Sequence, residues 1–307
     1  MTYRTFGLDY FDSVLVANEI QTNLVREIEN AHNVKPKHIA IVGLTYLDEL
    51  ANLRQSLKDS THPKDSRKSV KETTHKTILV SPSWGKETLL SKYGLRLLEP
   101  LAKSPYHIII RPHPQSLVGE VESNNIKHLQ NALKDYNNVE WDIGTPNVIA
   151  FASADLMISD FSSVIFDFVC LEGKPVLTLD FTFDSAGYDL ADIYDESNIN
   201  EFWTFKALKQ IGGKINESDL PHIQNIIDSA LQSNANKDAL AKIKNALWCY
   251  PHDSGIQATL EILKIQKGLI ESQLDKNLLN RLDSTKNAIE SLKNTKDSTP
   301  HKGFRND

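Results

Sequence analysis

The chain has 307 residues, of which 40% are hydrophobic and 24% are charged, and its formal net charge is -6. This length allows one large domain or two smaller ones. The negative charge argues against an extended nucleic-acid interface, although a local basic pocket remains compatible with it. No apolar run approaches the roughly 18 residues of a membrane span, and the first residues lack the apolar core of a signal peptide. We therefore predict a cytoplasmic protein. Cys170 and Cys249 lie far apart in apolar or aromatic surroundings, which indicates reduced thiols and no disulfide framework.

The first 60 residues predict alternating strands and helices. The apolar patterns place strands at 12–17 and 39–43 and helices at 19–31 and 46–57. This order is typical of a parallel sheet. Because the unit is too short for a whole domain, we expect residues 1–60 to be the end of an incomplete N-terminal domain. Residues 61–76 are polar and rich in Lys and Arg. They predict a linker with a solvated face, and specific anion binding there is the minor alternative.

Residues 77–265 predict a doubly wound parallel sheet, with helices on its faces. Strands are expected at 77–80, 106–110, 139–142, 154–158 and 176–180. Helices are expected at 86–101, around 126–133, at 148–153 and at 164–171, and the chain is helical again after residue 218. In the tail, residues 266–307, Leu278, Leu282, Ile289 and Leu292 are spaced as in a surface helix, with helix pairing as the alternative. The last dozen residues are expected to be disordered.

Three polar turns follow apolar strands of this sheet, at residues 81–85, 111–114 and 159–163. Because ligands of an open parallel sheet sit outside the carboxyl ends of its strands, we expect the three turns to share one edge. The groups that they supply are Ser83, Trp84, Arg111, His113, Ser159, Ser162 and Ser163. A guanidinium, an imidazole, several hydroxyls and the start of a helix suit a phosphate or diphosphate.

Asp167 lies one helical turn beyond Ser163, where its carboxylate could accept hydrogen bonds from ribose hydroxyls. Ser83 and Trp84 would then line the base or the approach of the phosphates. These groups together predict a nucleotide site. No cluster of metal ligands is visible in the sequence.

Each of these residues also has a purely structural interpretation. Ser162 and Ser163 could only cap a helix, His113 could be structural, and Trp84 could cover the sheet edge. Arg111 could simply pair with Asp160 or Glu140. The joint occurrence of these side chains at one edge favours the nucleotide site.

Two motifs, IIRPHP at 109–114 and SDFSSVIFD at 159–167, resemble the CDP-glycerol glycerophosphotransferase family of teichoic-acid primases and polymerases. Four further features follow the same order of motifs: Tyr10-Phe11-Asp12, Val42-Gly43 with Asp48, Ser81-Pro82-Ser83-Trp84, and Asp253 with Gly255. The resemblance covers roughly residues 10 to 265. Sialyltransferases and polysialyltransferases that use CMP-sugars carry similar motif pairs, and the arrangement is also similar to the nucleotide half of UDP-GlcNAc 2-epimerase.

The resemblance implies a GT-B fold, in which two Rossmann-like domains flank a cleft and the C-terminal one holds the donor. It implies that His113 is catalytic, that His113, Ser162 and Ser163 contact the diphosphate, and that Asp167 binds the ribose. The implied reaction transfers glycerol phosphate, or a related polyol phosphate, from CDP-glycerol to a glycan or teichoic-acid-type acceptor and releases CMP. It implies no cofactor and no metal, contact with the inner membrane surface, and a role in cell-envelope or capsule polysaccharide synthesis.

The sequence departs from this family in two places. The family implies a further N-terminal-domain histidine as general base, but residues 1–60 contain only His32 and His38, neither in a recognisable base motif. The turn Ser83-Trp84-Gly85 also lacks the arginine that often follows the tryptophan in the polymerases. The alternatives are therefore a glycosyltransferase that uses CMP-sugars, an epimerase-like enzyme acting on a UDP-sugar, and a non-catalytic nucleotide-binding fragment.

Overall fold

The computed structural model describes residues 7–59, 75–179, 202–233, 237–271 and 276–297. Its strands are β1 (Ser13–Val16), β2 (His38–Ile41), β3 (Thr77–Val80), β4 (His107–Ile110), β5 (Val139–Trp141), β6 (Leu156–Ser159), β7 (Val176–Leu179) and β8 (Gly212–Ile215). Its first helices are α1 (Glu19–His32), α2 (Thr45–Asp59), α3 (Leu89–Lys92), α4 (Leu95–Ala102), α5 (Glu120–Ala132) and α6 (Asn147–Ser153). They are followed by α7 (Val164–Glu172), α8 (Trp203–Ile211), α9 (Ile223–Gln232), α10 (Lys237–Leu247), α11 (Ser254–Glu271) and α12 (Lys276–Asp297). Two 3-10 helices, Pro114–Leu117 and Glu217–His222, complete the described elements.

The strands form two parallel sheets. β1 pairs with β2, and the larger sheet has the order β5-β4-β3-β6-β7-β8. This order matches the doubly wound arrangement of a Rossmann fold, in which the chain first builds outward from one central strand and then from its other side. The direction of winding reverses between β3 and β6. A crevice opens at such a reversal point because the flanking connections leave toward opposite faces.

The large sheet is buried on both faces, which explains its continuous apolar strands. In β3 the side chains of Ile78 and Val80 enter one core, together with Leu97 and Leu101 of α4. Leu79 enters the opposite core, whose other members come from α6, α7, α8 and α10. The predicted α/β fold with a parallel sheet is thus confirmed.

The N-terminal unit, which consists of β1, α1, β2 and α2, is joined to the C-terminal helices by a buried carboxylate. Asp48 of α2 accepts hydrogen bonds from Trp248 Nε1 at 2.7 Å and from the backbone N–H groups of His252 at 2.8 Å and Ser254 at 2.9 Å. Gly43 lies against the same place with a φ of +85°, and a Cβ there would come within 2.4 Å of Ser254 Oγ. The glycine permits both the left-handed backbone and this close approach.

The structure differs from the predicted elements at three places. The single helix expected at 86–101 is two helices, because Gly94 has a φ of +45° and breaks the run. Strand β8 was missed because Gly212-Gly213 is typical of a turn. A Cβ on Gly213 would come within 2.6 Å of Leu177 Cδ2, so a side chain there would displace the end of the Leu177 side chain. Helix α11 continues past the predicted domain boundary at residue 265.

The tail helix is α12, and it packs antiparallel on α11. Lys267 of α11 bonds to Asp283 at 3.0 Å, and Lys293 of α12 bonds to Asp253, just before α11, at 2.9 Å. Helix pairing, the alternative for this segment, is therefore what the structure has.

Several predictions fall outside the described residues. They concern the linker, most of which lies at 60–74, the end of the strand at Asp180, and the expected disorder at the C-terminus. Among the helices that the structure describes, none is long and apolar enough to cross a membrane. The described residues contain no group of three or more His, Cys, Asp or Glu side chains suited to a metal ion. Cys170 and Cys249 are free thiols.

Candidate functional site

A cavity of about 300 Å³ opens at the carboxyl edge of the large sheet, at the reversal point between β3 and β6. Val80 of β3 pairs with Ile110 of β4 and with Ile158 of β6, so the residues that follow these strands emerge at one level. The cavity is lined by Arg111, His113, Ser162, Ser163 and Asp167, among others. The structure therefore brings five of the predicted site residues together.

The floor of the site is organised by Asp160, whose side chain is 1% exposed. Its carboxylate accepts backbone N–H bonds from Ser83 at 2.8 Å, Leu89 at 3.1 Å, Phe161 at 2.8 Å and Ser162 at 3.2 Å. Burial raises the pKa of Asp160 to about 6, against the lowering effect of these four donors. One carboxylate thus fixes the turn after β3 to the turn after β6.

The N-terminus of α7 faces the cavity. Ser163 is the N-cap residue of α7 and is exposed. Its side chain makes no capping hydrogen bond with this helix. The purely capping interpretation therefore does not hold for Ser163. Ser162 is buried behind it and its N–H is held by Asp160. The unpaired N–H groups and positive dipole end of such a helix start favour an anion.

His113 is prepared to act as a neutral hydrogen-bond donor. Its Nδ1 accepts the backbone N–H of Gln115 at 3.1 Å, so the proton of the neutral ring resides on Nε2. Burial lowers the pKa of His113, although nearby Glu122 raises it. A neutral imidazole with Nε2–H can donate to a phosphate oxygen without bringing a full charge into the site.

Arg111 is held by the loop between β5 and α6. Its guanidinium pairs with Asp142 and bonds to Thr145 and to Asn147 Oδ1, the last at 3.1 Å. Burial of Asp142 opposes its ionisation, but bonds from Thr145 and Gly144 and the charge of Arg111 outweigh this, so the pKa of Asp142 is lowered. The prediction that Arg111 pairs with Asp160 or Glu140 was wrong. Asp160 binds backbone amides, and the carboxylate of Glu140 lies 3.4 Å from Nε2 of His107. Arg111 still lines the cavity, but its guanidinium already makes four hydrogen bonds to residues between 142 and 147.

Asp167 of α7 faces Tyr46 of α2 across one end of the cavity. Burial raises the pKa of Asp167 to about 7. Burial also raises the pKa of Tyr46, and the nearby Asp167 adds to this effect. A carboxylate with a strongly raised pKa inside a pocket is a common mark of a functional site.

Three predicted site residues lie next to the cavity and not in its lining. Ser159 is fully buried and its hydroxyl donates to the carbonyl of Ser81. Ser83 is half-buried and bound to Asp160 through its backbone. Trp84 is 44% exposed, and its ring lies 6.4 Å from that of His113, centroid to centroid. Their direct contact with a ligand stays a prediction.

The two N-terminal histidines lie elsewhere. His32 ends α1 and its Nδ1 bonds to Asp9 at 3.0 Å, and His38 begins β2 with an exposed side chain. Neither lines this cavity.

Sequence reasoning missed Tyr46, Asp142 and Asn147, which also line the cavity. Asp142 follows β5, so the rule that placed the other turns would have placed it too. Tyr46 gave a weaker signal. It follows the glycine that ends the β2 segment, but it belongs to helix α2, and only tertiary packing brings it to this cavity.

Comparison with known proteins agrees with this geometry. The family model described as CDP-Glycerol:Poly(glycerophosphate) glycerophosphotransferase matches residues 6–197, which is more than half of the chain. The minor teichoic acid biosynthesis protein GgaB of Bacillus subtilis (strain 168) is 29% identical over 184 residues, covering 55% of this chain and 18% of GgaB.

Two solved structures share the fold. The wall teichoic acid polymerase TagF matches with a TM-score of 0.51 and 20% identity, over 86% of this chain and 59% of that one. UDP-GlcNAc 2-epimerase from Neisseria meningitidis, bound to UDP-GlcNAc, matches with a TM-score of 0.50 and 20% identity, over 81% of this chain and 60% of that one. The chain therefore spans less than two thirds of the length of these relatives.

Proposed function

Since this chain belongs to the CDP-glycerol:poly(glycerophosphate) glycerophosphotransferase family, the family that its motifs predicted, we propose that it transfers glycerol phosphate from CDP-glycerol to an acceptor hydroxyl. A related polyol phosphate would serve the same chemistry. The acceptor is a glycan or teichoic-acid-type polymer, reached by peripheral contact with the inner face of the membrane. The donor is consumed as a substrate, and the proposed reaction uses no further cofactor.

One observation carries this proposal: the open N-terminus of α7 and the Nε2–H of His113 line the same cavity at the reversal point of the sheet. Both are donors suited to phosphate oxygens. The carboxylate that would bind the ribose, beyond the phosphates, is that of Asp167, one turn along α7.

In the proposed reaction the acceptor oxygen attacks the β-phosphorus of CDP-glycerol. A new P–O bond forms to the acceptor, the bond between the β-phosphorus and the bridging oxygen breaks, and that oxygen leaves as part of CMP. The acceptor hydroxyl releases its proton to the solvent. Negative charge grows on the bridging oxygen between the two phosphorus atoms during this step. Preorganised donors aimed at this charge stabilise the transition state, and His113 and the start of α7 are placed to supply them.

The test begins with calorimetric titration of CDP, CDP-glycerol and UDP into the protein. We expect the cytidine nucleotides to bind more tightly than UDP. His113→Ala should weaken CDP binding by about tenfold or more, because it removes a hydrogen bond to a charged acceptor. His128→Ala, which changes an exposed histidine of α5, is the matched control and should bind as the wild type does.

Transfer itself is measured with CDP-glycerol labelled in the glycerol moiety and a teichoic-acid-type acceptor. Release of CMP together with label in the polymer supports the proposal. Failure of the wild-type chain to bind CDP or CDP-glycerol would overturn it, as would preference for UDP.

A further inference from the structure

Tyr46 is brought to the cavity by the N-terminal unit, while the other residues discussed above come from the large sheet and its helices. It is the second residue of α2 and is 48% exposed. No residue of the unit that contains β1 and β2 was expected at the nucleotide site. Its position therefore calls for a reason beyond packing.

The start of α2 is firmly held, so the position of Tyr46 is well determined. The next residue, Leu47, is 1% exposed and packs with Cys170 of α7 and Trp248. Asp48 is fixed by its three hydrogen bonds at the start of α11. Further along α2, Arg54 Nε bonds to Glu172 at the end of α7 at 2.8 Å. A helix that is bound at both ends of its contact with α7 presents Tyr46 beside Asp167 without ligand-induced rearrangement.

The two side chains have complementary hydrogen-bonding properties. The phenol keeps its proton near neutral pH, because burial and the nearby carboxylate both raise its pKa, and so it can donate. A carboxylate can accept from two neighbouring hydroxyls. In the part of the chain that the structure describes, Asp167 and Tyr46 are not hydrogen-bonded to each other or to other side chains, so both remain available to a ligand.

We propose that Tyr46 and Asp167 together form a subsite for a vicinal diol of the donor, with Asp167 accepting from the two hydroxyls and Tyr46 donating to one of their oxygens. This rests on the proposed function, since a CDP-linked polyol brings such diols into the cavity. The diol is that of the ribose or that of the glycerol, and the two are separable by the choice of ligand. The consequence is that the N-terminal unit contributes directly to recognition of the donor.

The test compares wild type, Tyr46→Phe and Tyr250→Phe by calorimetric titration with CDP, 2′,3′-dideoxy-CDP and CDP-glycerol. Tyr250 is 38% exposed and does not line the cavity, so its change to Phe removes a hydroxyl at a matched position. Tyr46→Phe should lower the affinity for the affected ligand by about twofold to tenfold, which corresponds to the loss of one hydrogen bond. Tyr250→Phe should leave all three affinities unchanged.

The pattern across ligands identifies the diol. A loss seen with CDP and absent with 2′,3′-dideoxy-CDP supports the ribose, and a loss confined to CDP-glycerol supports the glycerol. Equal affinities of wild type and Tyr46→Phe for all three ligands would overturn the assignment, and so would an equal loss with all three. If His113→Ala still weakens CDP binding in that case, the proposed function stands and only the diol subsite fails. Absence of CDP binding by the wild type would overturn both.

Discussion

At the scale of single residues, two carboxylates near the start of α7 have opposite environments. Asp160 is surrounded by four backbone donors and shapes the turns beneath the cavity. Asp167 is half-buried in the lining of the cavity, and within the described residues its carboxylate has no hydrogen-bond donor. The sequence motif SDFSSVIFD contains both, but their roles differ because only Asp160 lies where backbone N–H groups converge. Removal of Asp160 would disturb the shape of the site, whereas removal of Asp167 would change its chemistry.

The raised pKa of Asp167 predicts a pH-dependent stability difference. Because the pKa rises from 3.8 to about 7 on folding, the folded state holds this proton more tightly, and the resulting stabilisation is lost progressively as the pH rises from about 4 to about 7. Asp167→Asn cannot ionise in this range. We expect it to match the wild type in free energy of unfolding at pH 4 and to exceed it by about 2–4 kcal/mol at pH 8.

The measurement is urea unfolding at both pH values. Asp135→Asn, which changes an exposed carboxylate after α5, is the matched control and should show no such divergence. A difference between wild type and Asp167→Asn that stays constant with pH would contradict the buried state of this carboxyl.

At the scale of elements, the site depends on how α2, α7 and α11 meet. The carboxylate of Asp48 accepts hydrogen bonds from Trp248 and from the two backbone N–H groups before and at the start of α11. Since these N–H groups lie at a helix start, where donors lack intrahelical partners, the carboxylate acts as a cap supplied from another element. The contact orients α2 and therefore Tyr46.

Asp48→Ala should lower the free energy of unfolding by about 2–4 kcal/mol, because it leaves a buried indole N–H and two backbone N–H groups without their acceptor. Chemical denaturation measures the loss. Glu49→Ala removes the neighbouring, exposed carboxylate of the same helix and should stay within about 0.5 kcal/mol of the wild type. Equal effects of the two changes would show that the Asp48 contact does not stabilise the fold.

At the scale of the whole molecule, the small sheet has two strands, β1 and β2, in the part of the chain that the structure describes. A two-stranded sheet is at best marginally stable by itself. The unit gains its stability from contacts with the C-terminal helices, through Asp48, the Arg54–Glu172 ion pair and the bond of Asn18 Nδ2 to the carbonyl of Leu247 at 3.3 Å.

We therefore expect the described N-terminal unit and the large sheet to unfold together. Differential scanning calorimetry should show one endotherm, with calorimetric and van't Hoff enthalpies that agree. Asp48→Ala should move this endotherm to lower temperature. An earlier, separate transition in the wild-type protein would mean that the joint at Asp48 is too weak to couple the two parts.

The sequence by itself determined the α/β class, most strands of the large sheet and the edge at which the polar turns meet. These follow from local patterns, because continuous apolar runs mark strands buried on both faces and parallel strands end at a common edge. It also contained the motifs that identify the family. Its error at Gly94 arose because the apolar helical pattern continues across a glycine that breaks the helix. Its error at Gly213 arose because a glycine pair indicates a turn, although here it allows a strand to approach a neighbouring side chain.

Only the tertiary structure decided which groups face the cavity and which support it. Arg111 is engaged by Asp142, Ser159 faces the carbonyl of Ser81, and Tyr46 arrives from the N-terminal unit. None of these contacts has a periodic signal in the sequence, since each joins side chains of different elements whose approach is set by packing of the whole molecule. The residue types predicted a nucleotide site, whereas the roles of its members depend on the contacts that folding creates.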